Sequence, residues 1–458
     1  MTTLAFALLL AATLAGYLYN RAAAARLLDG GARLHSLAGF HGAYSALIVF
    51  LPVAILMLLW LLLQERVIAG LVMAGLPDNL TEGQSSGQLQ LILAQIRSIA
   101  GGQVFGTPEP WQLEAAERLV ALRRGASIVL LVLVVALAVL LVALAGRSVA
   151  AEFRARHRVE RIVHGIMVFC ATAAIFVTAG IVLSLVYESW QFFRLVPINE
   201  FLFGANWEPQ IPIRADQIAG AGAFGWLPVI LGTLVITVIA LFFSVPIGLF
   251  SAIYLNEFAS ARVRSVVKPV LEILAGIPTV VYGFFAVLTV APALRTAGAE
   301  LGISVSPNTA LAAGGVMAIM LIPFISSFAD DALSAVPRSL RDGSLALGAT
   351  RGETMLKVQF PAAIPGIVGG VLLAVSRAIG ETMIVVMAAG LIARMTINPL
   401  DSVTTVTVQI VTLLIGDTSF DNPKTLAAFA LGMMLFIVTL GINILALRIV
   451  RKYRELYD

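Results

Sequence analysis

Apolar runs alternate with shorter polar intervals along this chain, and their lengths predict nine helices that cross a membrane. The runs are Leu4–Leu18, Tyr44–Leu63, Ser127–Ala145, Ile162–Val186, Trp226–Leu255, Val266–Leu294, Thr309–Phe328, Ala362–Ile392 and Leu426–Val450. A crossing helix needs ~20 residues, so the longer runs imply tilt or extension past the bilayer. A tenth run, Ser402–Ile415, is too short to cross and is expected to be interfacial or re-entrant. The fold class predicted is all-α integral membrane.

The first run lacks the basic leader segment of a signal peptide, and Arg21, Arg26 and Arg33 follow it. It is read as a retained span with the N-terminus outside, a cleaved leader being the alternative. Arg147–Arg161 carries five arginines and marks both a cytoplasmic segment and the boundary between two modules. Residues 1–150 are then a three-span extension with an outside loop at 64–125, and residues 151–458 are a six-span core. Counting nine crossings puts Asn256–Lys268, Pro337–Pro361 and the basic C-terminal tail inside. Arg262, Arg264, Lys268, Arg448, Arg451, Lys452 and Arg454 agree with that count. Glu188–Gly225, with its glycine-rich AGAGAFG, and Arg394–Thr425 are the long outside intervals.

Composition reinforces the pattern. The chain is 59% hydrophobic and 12% charged, with a mean hydropathy of +0.96, against about 25% charged residues in soluble domains. The net charge of +4 says less than its placement. Cys170 stands alone, which excludes an internal disulfide, and is read as a small packed hydrophobe. His35, His41, His157 and His164 have no partners at ligand spacing, so no metal is assigned. There is no GxxxxGK[ST] phosphate loop in the sequence, so any ATP must be bound elsewhere. Asp330 and Asp331 end a span and are expected to be solvated. Gly366 and Gly370 read as a helix-packing pair, and Pro278 as a kink within its span.

Two features stand apart. Residues 337–361 are charged, yet lie between long apolar runs. Pro337 suits a first helical position, Gly348 a left-handed C-cap, and Thr350 with Glu353 a capping box. Pro361 and Pro365 are expected to end the second helix. With little apolar face of its own, this helix–turn–helix should dock on a partner. Further on, Arg377 and Glu381 are four residues apart within the run Ala362–Ile392, predicting an ion pair on one helical face. At such depth a charge costs at least ~2.5–3.5 kcal/mol, so the pair should face the bundle interior, either fixing helix packing or meeting a passing anion. Thr382 adds a hydroxyl beside it.

These words resemble a known family. Asp342-Gly343-Ser344, Gly348 and Val358-Gln359-Phe360-Pro361 match the spacing of the EAA loop of ABC importer permeases, with Asp, Gly and Ser in place of Glu, Ala and Ala. LALGAT, SRAIGETM, ILAGIPTVVYGFF and TVQIVTLLIGDTSFDNPKTLAAFALG resemble the phosphate-uptake permease of the PstC type over roughly residues 160–458. The resemblance implies a type I ABC importer transmembrane domain over about 226–450 in a bacterial inner membrane. It implies an ATPase-coupling loop containing Asp342, Gly343, Ser344, Gly348, Thr350, Glu353 and Pro361. The RAxGET word places Arg377, Glu381 and Thr382 on the phosphate path. The implied partners are a PstA-type permease, two PstB-type ATPases and a PstS-type binding protein. The chain itself is then no enzyme and has no cofactor, the ATP being bound by the partner subunit. Alternatives are a permease for another oxyanion, such as sulfate or molybdate, and a membrane component that senses phosphate more than it moves it.

Overall fold

A computed structural model describes residues 2–31, 33–77, 86–103, 108–209, 222–415 and 422–454. Among these, nine helices are long and apolar enough to cross a membrane, and each predicted crossing falls on one of them. The chain divides into two compact units, residues 1–176 and 177–458. Part of the glycine-rich AGAGAFG (219–221), residues 416–421 of the C-terminal word and residues 455–458 of the tail lie outside the described residues.

The first unit contains α1 (Thr2–Asp29), α2 (Ala38–Met73), α3 (Ser86–Ala100) and α4 (Pro110–Arg147). α5 (Ala155–Leu195) begins in this unit. Residues four apart form the seams: Val49, Val53 and Met57 on α2 meet Leu130, Val134 and Ala138 on α4, with Ala5 and Leu9 of α1 between them. Such spacing stacks side chains on one helical face. The interval 64–125 is not the polar loop expected. α2 and α4 extend into it and α3 packs on both, burying Ile68, Val72, Ile96, Ala116 and Leu119. Those residues are too sparse to register as an apolar run, but they recur at helical spacing. Cys170 on α5 is exposed rather than packed, because the flank it shares with Phe169 and Phe176 is uncovered within this chain.

The second unit takes the rest of α5, then α6 (Ile198–Phe203) and a two-residue antiparallel pair, β1 (Trp207–Glu208) with β2 (Ala223–Phe224). Phe192, Phe201, Trp207 and Phe224 close an aromatic cluster there. α7 (Leu227–Ile253) runs into a wide π-type turn at Tyr254–Phe258. α8 (Ala261–Gly276) follows and buries nothing. α9 (Thr279–Phe285), a second wide turn (Ala286–Val290) and α10 (Ala291–Glu300) form the next span. α11 (Ala310–Ser334) is the central helix. Its small residues Ala310, Ala313 and Val316 lie in one core with Ile236 and Ala240 of α7. The chain continues as α12 (Arg338–Ala346), α13 (Arg351–Thr354), a third wide turn (Met355–Gln359), α14 (Phe360–Ile379), α15 (Met383–Ala388), α16 (Val406–Leu414) and α17 (Pro423–Arg454).

Several expectations are corrected in this unit. Pro278 does not kink a span but separates two helices: at φ −57°, ψ 135° it caps α9. The predicted run from Val266 therefore splits. Its first half carries Lys268 and Glu272 and lies as an exposed amphipathic helix, and its second half begins the crossing. Pro361 and Pro365 do not end a helix. The wide turn at 355–359 leads directly into α14, which holds both prolines. A proline lacks an N–H and clashes with the carbonyl four residues back, and a π-type turn relaxes that clash at Pro361. Pro337 is the N-cap rather than the first helical residue. The short run around Ser402–Ile415 becomes α16, whose Val406, Thr407, Val408 and Gln409 are buried; this burial goes against the interfacial half of the expectation and fits the re-entrant half.

Candidate functional site

The element 338–354 is built from local rules. α12 ends in a Schellman arrangement: the Gly348 N–H donates to the Leu345 carbonyl at 3.0 Å and the Ala349 N–H to the Ser344 carbonyl at 3.2 Å. Gly348 sits at φ +88°, a region open to glycine and costly for branched residues. The capping box forms as predicted. The Glu353 N–H donates to Thr350 Oγ1 at 3.3 Å, and the Thr350 N–H donates to Glu353 Oε2 at 3.0 Å. Backbone donation and the Thr350 hydroxyl hold the Glu353 carboxyl below the usual glutamate range, helped by Lys357. A Ser344–Thr354 hydroxyl contact at 3.0 Å ties the two helices together. Leu347, at the turn, is 91% exposed. Asp342, Gly343 and Pro361 lie on this element and its continuation, and a Cβ at Gly343 would meet nothing within 4 Å.

About 29 Å along the axis of α14 from Phe360, at 1.5 Å per residue, the helix stops. Gly380 is its C-cap, and Thr382 at φ −117° leaves the helical path. The predicted ion pair does not form: no Arg377–Glu381 bridge occurs among the described residues. Glu381 lies beyond the helix end, and its Oε1 accepts the N–H groups of Met383 at 2.9 Å and Ile384 at 3.3 Å. Its carboxylate serves the start of α15, a stronger local demand than an arginine one turn back. The Glu381 carbonyl accepts the Thr407 hydroxyl of α16 at 2.9 Å, and Thr382 donates to the Gly380 carbonyl at 3.4 Å. Arg377 is exposed on this chain, not turned into its bundle. Its guanidinium lies over the Phe324 ring of α11, 5.4 Å from the centroid, a cation–π contact.

The polar hub of this unit was not foreseen. Asp330, expected in solvent, is 6% exposed; Asp331 is the exposed one. Asp330 accepts Asn256 at 2.7 Å, Lys268 at 2.9 Å and both Arg264 contacts at 3.2 Å. Three donors compensate the burial of one carboxylate. Asp330 also lines a cavity of about 250 Å³ with Lys268, Glu272, Phe324, Ser326 and Ser327, so Phe324 joins this cavity to Arg377. A second buried acid, Glu257, accepts Arg341 of α12 at 3.0 Å. The signals were present as charges at the ends of apolar runs, but their partners lie 62 to 84 residues away, and no local pattern pairs them. Gln409 was likewise missed: inside α16 it accepts Trp207 at 2.8 Å and donates to the Leu391 carbonyl at 2.8 Å.

Comparison with known proteins agrees in both units. Residues 244–455 match the family described as binding-protein-dependent transport system inner membrane component. Residues 6–177 match a family described as phosphate ATP-binding cassette transporter. The probable ABC transporter permease YqgH of Bacillus subtilis is 33% identical over 282 residues, 60% of this chain and 87% of that protein. The phosphate transport system permease PstC of Haemophilus influenzae is 32% identical over 60% of this chain and 88% of its own length. PstC of Mesorhizobium japonicum is 30% identical, over 61% and 86% respectively. This is a multi-pass inner membrane protein with extra N-terminal helices, and it belongs to the PstC-type family of phosphate ABC transporter permeases.

Proposed function

We propose that this chain is one of two permease subunits lining the path of an ATP-driven importer of inorganic phosphate. The observation that carries the reading is Arg377. An arginine exposed on a long apolar helix cannot rest against lipid without a cost of several kcal/mol. Its flank therefore faces a second permease subunit of the PstA type, with the anion passing between the two. Arg377 is held ready by the Phe324 ring and is not neutralised by Glu381, so its charge is available to a phosphate. Glu381 and Thr382 shape the break in the helix beside it.

The opposite end of α14 carries the coupling element. Asp342, Gly343, Ser344, Gly348, Thr350, Glu353 and Pro361 set its shape, and the exposed Leu347 needs an apolar pocket on a partner. Two PstB-type ATPases would supply that surface and bind the ATP, and a PstS-type protein would deliver phosphate on the outer face. The chain contributes no cofactor of its own and no hydrolytic step. The N-terminus lies outside and the C-terminus in the cytoplasm. The phosphate named by the family matching residues 6–177 favours this cargo over other oxyanions. The test is uptake of labelled phosphate by the complex reconstituted in liposomes, with ATP inside or outside and with sulfate and molybdate as competitors. Uptake that needs no ATP, or that sulfate abolishes, overturns the reading.

A further inference from the structure

Between the coupling element and the cavity lies a structure that the transport reading leaves unused. α7 ends in the wide turn Tyr254–Phe258, closed by the Ala259 N–H on the Tyr254 carbonyl at 2.8 Å. Two neighbouring residues of that turn reach in different directions. Glu257 Oε1 accepts Arg341 of α12 at 3.0 Å, with the Glu257 side chain 2% exposed. Asn256 donates to Asp330 at 2.7 Å and to Ser334 at 2.9 Å on α11. Asp330 in turn holds Arg264 and Lys268 of α8 and lines the cavity that includes Phe324. A continuous polar chain thus runs from Arg341 on the coupling element, through two adjacent turn residues, to the cavity wall.

We propose that the turn Tyr254–Phe258 is the joint through which movement of the coupling element reaches the cavity, with Glu257 and Asn256 as positioning residues. The proposal rests on the ATP-driven reading above. A π-type turn suits the role, since its widened geometry is the weak point at which a helix bends. The joint also has a second arrangement within reach. Glu257 Oε2 is buried and has no hydrogen-bond partner among the described residues, so the Arg341 contact uses one carboxylate oxygen of two. A displacement of α12 that brings the guanidinium onto both oxygens satisfies the orphan atom. The single contact and the forked contact are two discrete states, as transmission between distant sites requires. Movement of Glu257 carries Asn256 with it, because the two are consecutive in one turn. Asn256 then shifts Asp330 against Arg264 and against Lys268 of the cavity wall.

The experiment compares Glu257→Gln, Arg341→Gln and the double variant in the reconstituted complex, reading phosphate moved per ATP hydrolysed together with the amount of assembled complex. Glutamine keeps the shape of the buried Glu257 side chain, and at the partly exposed Arg341 it removes the charge and keeps a polar end. Each single change is expected to lower the transport-to-hydrolysis ratio roughly tenfold, within the range for a residue on a coupling route. The double variant is expected to fall no further than either single one, because the two act as a pair. Restoration of the ratio by Glu257→Arg combined with Arg341→Glu is a further expected result. A merely structural pair lowers the yield of complex and leaves the ratio unchanged, which overturns the proposal. Additive losses in the double variant also overturn it. If the wild-type complex itself shows no ATP-driven uptake, the transport reading falls and the joint with it. If the wild type is active and the variants match its ratio, the joint alone falls.

Discussion

Arg377 and Glu381 show how one residue's local duty decides its role at a site. Glu381 is spent on two backbone N–H groups of α15, so removing Arg377 leaves no buried carboxylate without its counter-ion. Arg377→Ala is therefore expected to assemble normally while phosphate uptake falls at least about tenfold, the value of one charge-assisted contact. Normal uptake in that variant removes Arg377 from the path. At Glu381 the prediction is different. Glutamine keeps a carbonyl oxygen for the capping bonds, so Glu381→Gln should retain most uptake, whereas Glu381→Ala loses the cap at about 1 kcal/mol. A comparison of uptake and thermal unfolding midpoint separates the two; equal behaviour of Gln and Ala would mean that capping is not the carboxylate's job.

At the scale of elements, the turn between α12 and α13 and the hub at Asp330 make opposite demands. Gly348 sits at φ +88°, where a β-branched side chain is strained, so Gly348→Val should disrupt the Schellman turn and lower transport while insertion continues. Gly343 lies in a helix with open space around it, and Gly343→Ala should stabilise α12 by roughly 0.5–1 kcal/mol without loss of uptake. Equal uptake by the Gly348→Val and wild-type complexes would sink the docking role of the turn. Asp330 instead gathers donors from the turn after α7 and from α8. Its replacement by alanine leaves Arg264 and Lys268 without their acceptor and Asn256 with Ser334 alone. Because both cations are about 40% exposed, water recovers part of the loss, and a cost of about 2 kcal/mol is expected. The thermal unfolding midpoint of the purified complex checks it: an unshifted midpoint would mean that α8 is held by other contacts.

For the whole molecule, the charge placement and the nine crossings lead to a test of sidedness. In a background with Cys170 replaced, a cysteine at Asn206 should react with an impermeant thiol reagent added outside intact cells. One at Arg341 should react only after the membrane is opened. Reaction of both from the same side overturns the arrangement with the N-terminus outside. The same scale explains the uncovered flanks. Much of α5 and the whole of α8 bury nothing within this chain, as expected of a subunit whose surfaces are completed by lipid and partner chains.

The number and approximate place of the crossings, the capped turn at 348–353 and the family words were all legible in the sequence, because each rests on residues close together in the chain. Apolar length sets a crossing, φ at one glycine sets a turn, and a hydroxyl three residues from a carboxylate sets a capping box. The breaks at Pro278 and at Gly380–Thr382 were not legible, since proline and glycine are tolerated within membrane helices as readily as they end them. Only the fold decides which occurs, by whether groups such as the Thr407 hydroxyl of α16 and the Glu381 carboxylate take up the freed backbone groups. The pairings Arg341–Glu257 and Lys268–Asp330, and the placing of Arg377 on Phe324, likewise belong to tertiary structure. An ionisable side chain in an apolar surrounding takes whichever partner the packing brings within reach, and that partner need not be near in sequence.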